Sequence, residues 1–325
     1  MNGLNQLHTV SLADGLKVGA IGLGCSPMSY GYGPGERDDA ESVAVIHRAL
    51  DFGINLFDTA DVYGPGTNES LLGRALHGRR DEAVIATKCG LIAEPGGRMR
   101  RDGRPEHIRA ACAESLRRLQ TDHIDLYQLH RVDRSVPLEE TWGALAGQVQ
   151  VGHVRALGFS HASIEELDLV HSIHPVAAIQ YELSMLAPQN LVDVLPWCRR
   201  NGVGFLAFSP LGRGFLSGRL TAGQIGPEDT RSFDPRFTTG AMQANEQILR
   251  GLHRVAARHG ATPGQIALAW VMAQGENVVP IPGTKRQRWL LENAAAANIR
   301  LTDDDLREIA GLPRPVGRKT WDEAG

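Results

Sequence analysis

Short apolar runs alternate with longer stretches in which apolar positions recur at helical spacing, and the alternation holds for most of the chain. Runs at 20–25, 54–57, 83–88, 124–128, 154–159, 176–180, 204–208 and 278–281 read as buried strands. A helical pattern separates each from the next, and one more follows the last. In the first of these, 38–52, Val43, Ile46, Ala49 and Leu50 fall on one face. Others open at clear signals: Pro105 at a first helical position, Ser163 as an N-cap, and Pro263 ahead of 264–274. Eight β–α units in series, with no break in composition, predict a (β/α)8 TIM barrel in one domain over 1–325. Residues 7–19 stand outside the repeat as a β-hairpin turning at Asp14-Gly15. Residues 209–242, rich in Gly, Pro, Arg and Asp, predict a long loop at the barrel mouth. Extra helices are expected at 245–259 and, capped by Thr302, at 302–309. The Pro/Arg/Gly tail 313–325 is expected to be loosely held.

In a barrel of this kind the functional side chains gather at the carboxyl ends of the strands. The predicted ends carry Asp58, Lys88, His130, Ser160, Gln180 and Phe208-Ser209. The densest stretch is FDTADVYGPGTNESLLG (57–73), which sets Tyr63 five residues after Asp58, in a Gly/Pro-rich loop before a helix near Asn68. A free tyrosine, with a pKa of about 10, is a poorly matched acid near neutrality. A cation about 4 Å away favours the phenolate by up to about 4 kcal/mol at an effective dielectric near 20, or about three pKa units. Lys88 is the candidate cation, Asp58 its anchor, and His130 the group that orients an incoming oxygen or assists the proton. Such a set donates a proton to an oxygen as negative charge builds there. Each member also has a plainer reading: Asp58 capping a turn, Tyr63 packing on the surface, Lys88 snorkelling to water, His130 structural. Lys88 further admits a Schiff-base role, as in a class I aldolase.

Gly283-Thr284-Lys285-Arg286 precedes a helix expected to start near Lys285. Backbone N–H groups at a helix start, with two cations, make an anion site suited to a terminal phosphate, and Arg288 is a possible third cation. The glycines Gly22 and Gly24 fail as a dinucleotide fingerprint, because Pro27 occupies the third glycine's place. The cluster Arg98, Arg100, Arg101 and Arg104 lacks interleaved aromatics and reads as a solvated rim.

Composition narrows the class. A net charge of -3 gives no general attraction to nucleic acid or anionic lipid. No apolar run approaches the roughly 20 residues of a membrane span, and the first residues lack a signal-peptide pattern. The cysteines, Cys25, Cys89, Cys112 and Cys198, are scattered without metal-ligand spacing. The expectation is a cytoplasmic protein with reduced thiols and no metal, taking neither nucleic acid nor membrane as partner.

Six motifs carry a family resemblance: FDTADVYGPGTNESLLGRAL (57–76), IATKCG (85–90), DLYQLHRVD (125–133), VRALGFS (154–160), AFSPLGRGFLSG (207–218) and VPIPGTKR (279–286), followed by Leu291-Glu292-Asn293. Through them nearly the whole chain resembles the aldo-keto reductase superfamily, most closely its bacterial, fungal and plant branch. The resemblance implies an NADPH-dependent reductase of small carbonyl compounds, reversible between NADPH and NADP+. It maps a catalytic tetrad onto Asp58, Tyr63, Lys88 and His130, with Tyr63 as the acid. It maps nicotinamide contacts onto Ser160, Gln180 and Phe208, and the pyrophosphate region onto Ser209, Leu211, Gly212 and Arg213. It sets the adenosine 2′-phosphate at Gly283, Thr284, Lys285 and Arg286, and the adenine near Glu292 and Asn293. His161 departs from the Asn or Glu of many relatives, which raises the expectation of a pH-sensitive nicotinamide site. Some members of the family bind NADPH in regulatory roles with little turnover, and this is the rival reading.

Overall fold

The computed structural model describes residues 7–13, 15–29, 37–95, 98–227 and 229–317. An antiparallel hairpin of β1 (Thr9–Ala13) and β2 (Leu16–Gly19) comes first. The barrel strands begin with β3 (Leu23–Gly24), β4 (Leu56–Asp58) and β5 (Val84–Cys89). A small antiparallel hairpin, β6 (Leu91–Ala93) and β7 (Met99–Arg101), intervenes. The barrel resumes with β8 (Ile124–Leu129), β9 (Val154–Ser160), β10 (Val176–Glu182), β11 (Gly204–Phe208) and β12 (Val278–Pro280). The eight barrel strands are parallel and pair in chain order, β3-β4-β5-β8-β9-β10-β11-β12. The last strand then meets the first: Gly22 N donates to Pro280 O at 3.0 Å, and Gly24 bridges Gly283. Glycine is required at this seam, because a Cβ on Gly24 would stand 2.9 Å from the Ile281 carbonyl oxygen. That close approach of two backbones is a structural reason for glycine at position 24.

The helices following barrel strands are α1 (Asp39–Asp51), α2 (Thr67–Ala75), α3 (Pro105–Leu119), α4 (Leu138–Gln150), α5 (Ile164–Ile173) and α6 (Val194–Asn201). After α7 (Thr239–His259), which lies outside the repeat, come α8 (Pro263–Met272), α9 (Gln287–Ala295) and the extra C-terminal α10 (Asp303–Ala310). Their starts have chemical causes. The Asp38 carboxylate accepts from Glu41 N, while Ser163/Glu166, Thr262/Gln265 and Thr302/Asp305 form reciprocal capping boxes. On α1 the buried face is Ser42, Val45, Ile46, Ala49 and Leu50, with Val43 half-buried at its edge. The N-terminal hairpin packs β1 against β10 and β11, and buried Leu12 fills the space where a Cβ on Gly204 would fall. Buried apolar residues from Leu7 to Ile309 form one continuous cluster.

Several expected boundaries move. Helix α7 begins at Thr239 rather than 245, because the Thr238 hydroxyl accepts from Ala241 N and starts the helix early. The 209–242 excursion is therefore shorter, and 3-10 turns punctuate it. Helix α9 begins at Gln287 rather than Lys285. The Thr284 hydroxyl accepts from Arg286 N at 3.2 Å, and Arg286 stays extended. The tail is not loose where it is described: Asn245 Nδ2 donates to Val316 O at 3.0 Å, and Val316 N returns a bond to Asn245 Oδ1 at 2.9 Å.

Candidate active site at the carboxyl ends of the strands

Three adjacent strands build the charged centre. Asp58 ends β4, Lys88 lies near the end of β5, and His130 directly follows β8. Both chains of the Asp58–Lys88 pair are buried, and Lys88 Nζ lies 2.8 Å from each Asp58 oxygen and 2.8 Å from Thr59 O. The Tyr63 ring centroid is 5.2 Å from that ammonium and 6.1 Å from the His130 ring, edge to face. Tyr63 sits on the loop between β4 and α2, which buried Asn68 fastens. The Asn68 amide donates to Cys25 O and Ser29 Oγ and accepts from the Thr59 hydroxyl, at 2.7–2.9 Å.

Burial opposes the Lys88 charge, yet Asp58 and Tyr63 together hold its pKa above the ordinary lysine value. Lys88 is an ammonium. Burial pushes the Tyr63 phenol above its ordinary value, and the Lys88 field offsets this only in part. The expected net lowering of the phenol is thus reversed, because desolvating a phenolate costs more than one paired cation returns. Burial first, then Arg131, Lys88 and His161, hold His130 well below 6.5, so its imidazole is neutral. Its Nδ1 is buried without a hydrogen-bond partner among the described residues. Such a centre can release a phenolic proton to an oxygen and stabilise the phenolate that remains.

The neighbouring strand ends complete the mouth. Gln180 on β10 points its amide nitrogen into the barrel, 2.6 Å from Asp58 Oδ1 and 3.4 Å from Gln128 Oε1. Ser160 ends β9, and Arg131 Nη1 donates to its hydroxyl at 3.3 Å and to His130 O at 2.6 Å. Phe208 ends β11, half-buried, with its ring 5.5 Å from that of His161. Burial and Arg131 hold His161 well below 6.5, which overturns the expected pH sensitivity. His161, Ser209 and Arg213 are non-glycine residues in the left-handed region, with φ of 56°, 50° and 53°. Gly212 and Gly214 flank Arg213 at φ 54° and 99°, and Ser209 O accepts from Gly212 N at 2.8 Å. Leu211 packs partly buried against the core beside Gly264.

Past β12, Gly283 is exposed at the seam, Thr284 is buried, and Lys285 and Arg286 are half-buried ahead of α9. Glu292 is engaged by Arg219 at 2.7 Å and by the Thr262 hydroxyl at 3.0 Å, while Asn293 is buried. The guanidinium of Arg219 also lies 4.0 Å from the Trp289 ring centroid.

Sequence reasoning missed Gln128, Arg131, Arg219 and Trp289. Gln128 carried a signal, since it stands two residues before His130 and so shares its strand face. The sequence also offers Met28, Tyr30, Tyr32 and Trp321 as lining for an apolar pocket; Met28 is buried in the core, and the other three lie outside the described residues. In the rim cluster, Arg100 pairs with Glu94 and Asp102, and Arg104 with Asp102 and Glu106. No helix among the described residues is long and apolar enough to cross a membrane.

A (β/α)8 barrel with this centre has the frame of an oxidoreductase, and comparison with known proteins agrees. The model of the aldo/keto reductase family matches residues 20–313. A probable aldo-keto reductase 1 of Glycine max is 40% identical over 306 residues, covering 94% of this chain and 88% of that one. A glycerol dehydrogenase structure from Gluconobacter oxydans superposes with a TM-score of 0.85 at 32% identity, covering 93% and 94% of the two chains. An aldo/keto reductase from Klebsiella pneumoniae, in complex with NADP and acetate, does so at 0.73 and 28%, covering 97% and 98%. The chain belongs to the aldo/keto reductase family.

Proposed function

We propose that the protein reduces an aldehyde or ketone of small size to the alcohol with NADPH, and that Tyr63 gives the proton. The carrying observation is Lys88 Nζ locked 2.8 Å from both Asp58 oxygens and 5.2 Å from the Tyr63 ring. When bound, the cofactor supplies a hydride to the carbonyl carbon. Tyr63 donates its proton to the carbonyl oxygen, and Lys88 stabilises the phenolate left behind. Asp58 keeps Lys88 charged and in place. Neutral His130 turns toward the substrate oxygen and orients it. In reverse the Tyr63 phenolate takes the alcohol's proton, the direction that the name of the Gluconobacter glycerol dehydrogenase describes.

The residues present fit this cofactor. Left-handed backbone outside glycine is costly and clusters at ligand sites; of the four such residues described, Gln120 caps the end of α3 and the other three follow β9 and β11. Ser160, Gln180 and Phe208 would hold the nicotinamide, and Ser209, Leu211, Gly212 and Arg213 the pyrophosphate. Gly283, Thr284, Lys285 and Arg286 would take the 2′-phosphate, which is the basis for preferring NADPH over NADH. Glu292 and Asn293 would lie near the adenine. The NADP complex of the Klebsiella relative supports a nicotinamide cofactor of this kind. Four buried, unlinked cysteines fit a cytoplasmic setting.

The aldolase reading weakens, because a Schiff-base lysine must be neutral and Lys88 is held as an ammonium. Borohydride trapping with carbonyl compounds is expected to leave it unmodified. The deciding experiment is Tyr63→Phe assayed for NADPH oxidation against a carbonyl panel. Reduction should fall by about 100-fold or more, while NADPH affinity stays close to that of the parent. Undiminished turnover would remove Tyr63 from the chemistry. NADPH binding by the unaltered protein without turnover on any carbonyl would favour the regulatory reading.

A further inference from the structure

Downstream of β11 the chain makes two Asp-x-Arg turns, Asp229-Thr230-Arg231 and Asp234-Pro235-Arg236. In each, the carboxylate caps a 3-10 turn by accepting the N–H of the arginine two residues on, at 2.8 and 3.1 Å. It also pairs with that arginine's guanidinium, at 2.6 Å in both turns. Both turns converge on Arg213. Arg231 Nη1 donates to the Arg213 carbonyl at 3.3 Å, and Asp234 Oδ2 lies 3.6 Å from Arg213 Nε. The Asp234 side chain is fully buried, and Arg236 beyond it is anchored to Glu182 Oε1, at the end of β10, at 2.5 Å. Backbone and side chain of Arg213 are thus both held, the backbone in a left-handed conformation that a non-glycine residue rarely adopts.

We propose that Asp234 is a positioning residue for cofactor binding, fixing the Arg213 guanidinium where it meets the pyrophosphate. This rests on the assignment of 209–213 to the pyrophosphate made above. Two effects of Asp234 oppose each other. Its charge repels a phosphate, and its grip removes Arg213 rotamer freedom before the cofactor arrives. The repulsion is blunted, because Arg213, Arg236, Asp234 and Glu182 form a cluster of two cations and two carboxylates. Preorganisation therefore decides the sign.

The test is a double-mutant cycle on NADPH affinity, with Asp234→Asn, Arg213→Ala and the pair, and 2′-AMP as a probe that has no pyrophosphate. Asn keeps the capping oxygen and the volume; Asp234→Ser, which also keeps a capping oxygen, replaces it in the cycle should the amide variant not fold. Asp234→Asn should weaken NADPH by about tenfold, leave 2′-AMP unchanged, and add nothing once Arg213 is alanine. Asp234→Glu, which keeps the charge, should stay within about twofold of the parent. Equal weakening with and without Arg213, a parallel loss of 2′-AMP, or Asp234→Glu as weak as Asp234→Asn would make the role purely structural and overturn the proposal. Tighter NADPH binding by Asp234→Asn would overturn it by showing that repulsion wins. An Arg213→Ala variant that binds NADPH like the parent would instead sink the pyrophosphate assignment itself, and the proposal with it.

Discussion

Asp58→Asn asks whether Lys88 must be charged for Tyr63 to act. The substitution keeps the shape and one acceptor oxygen but removes the counter-charge 2.8 Å from Nζ. At that distance the Coulomb attraction is about 6 kcal/mol at an effective dielectric near 20. The Thr59 carbonyl continues to accept from the ammonium, so the net loss should fall to about 3–5 kcal/mol, the usual cost of orphaning a buried charge. The sign with pH follows. In the parent, Lys88 has a folded pKa above its unfolded 10.5, so its contribution is fully present below 10.5 and lost only as pH rises through the folded value. In the variant the folded value drops below 10.5, so the stability penalty is largest at neutral pH and eases as pH rises toward 10.5. Catalysis moves the other way. With Nζ 5.2 Å from the Tyr63 ring, the lost field is about 3 kcal/mol, or about two orders of magnitude in rate. Reduction should therefore acquire a descending limb at the pH where the variant's Lys88 loses its proton. Steady-state NADPH oxidation and thermal unfolding, both followed from about pH 6 to about pH 10, read the two effects together. A variant whose rate and stability are lower by the same amount at every pH would refute the reasoning.

Lys285→Ala/Arg286→Ala should weaken NADPH by about 10- to 100-fold while NADH changes little, since two charge-assisted phosphate contacts are lost; equal loss for both cofactors, measured by titration, would move the phosphate elsewhere. Because His130 is held well below 6.5, the reduction rate should show no ionisation limb near that pH, and a limb there that disappears on His130→Asn would contradict the neutral imidazole. Asp61, whose Oδ1 is buried without a hydrogen-bond partner among the described residues, has its carboxyl pushed up to about 8 by burial, with Glu69 adding to it. A raised carboxyl favours the fold only when protonated, so this stabilisation is complete below the unfolded value of 3.8 and lost as pH rises from there to about 8. Asp61→Asn should then gain melting temperature over the parent across that window, and a constant difference would argue against it.

The barrel was legible because its signals are local. Each strand is a short apolar run, and several helix starts carry a cap that needs only its own neighbours, as at Ser163, Thr262 and Thr302. The polar residue ending each run was legible for the same reason: Asp58, Lys88 and Ser160 interrupt apolar stretches at points where packing does not require them. Less was visible where one side chain decided a boundary. The Thr284 hydroxyl delays α9, and Thr238 advances α7 through Gly240 and an unremarkable polar turn. Long-range partners were invisible, because nothing near Arg219 names Glu292 and nothing near Gln180 names Asp58. The direction of the Tyr63 shift also escaped, since the sequence shows which charges are near but not how far water is excluded.

The two halves of the site are built by different means, and this separates what their variants should do. The strand ladder fixes both residues: Asp58 stands opposite Ala86 on β5, and Lys88 opposite Gln128 on β8. Their geometry survives small changes, and altering them changes the charge at the reacting oxygen. The segment carrying Ser209 and Arg213 has no ladder. Left-handed backbone, two carboxylate-capped turns and the buried Arg236–Glu182 pair hold it instead. That scaffold sets the free energy of the ready conformation and leaves the acid untouched. Changes at Asp58, Tyr63 or Lys88 should therefore lower kcat with cofactor affinity kept, while changes at Arg213 or Asp234 should raise the cofactor KM with kcat kept. A variant of Arg213 that lowered kcat at saturating NADPH would show that the loop does more than hold, and that its strain is felt at the reacting centre.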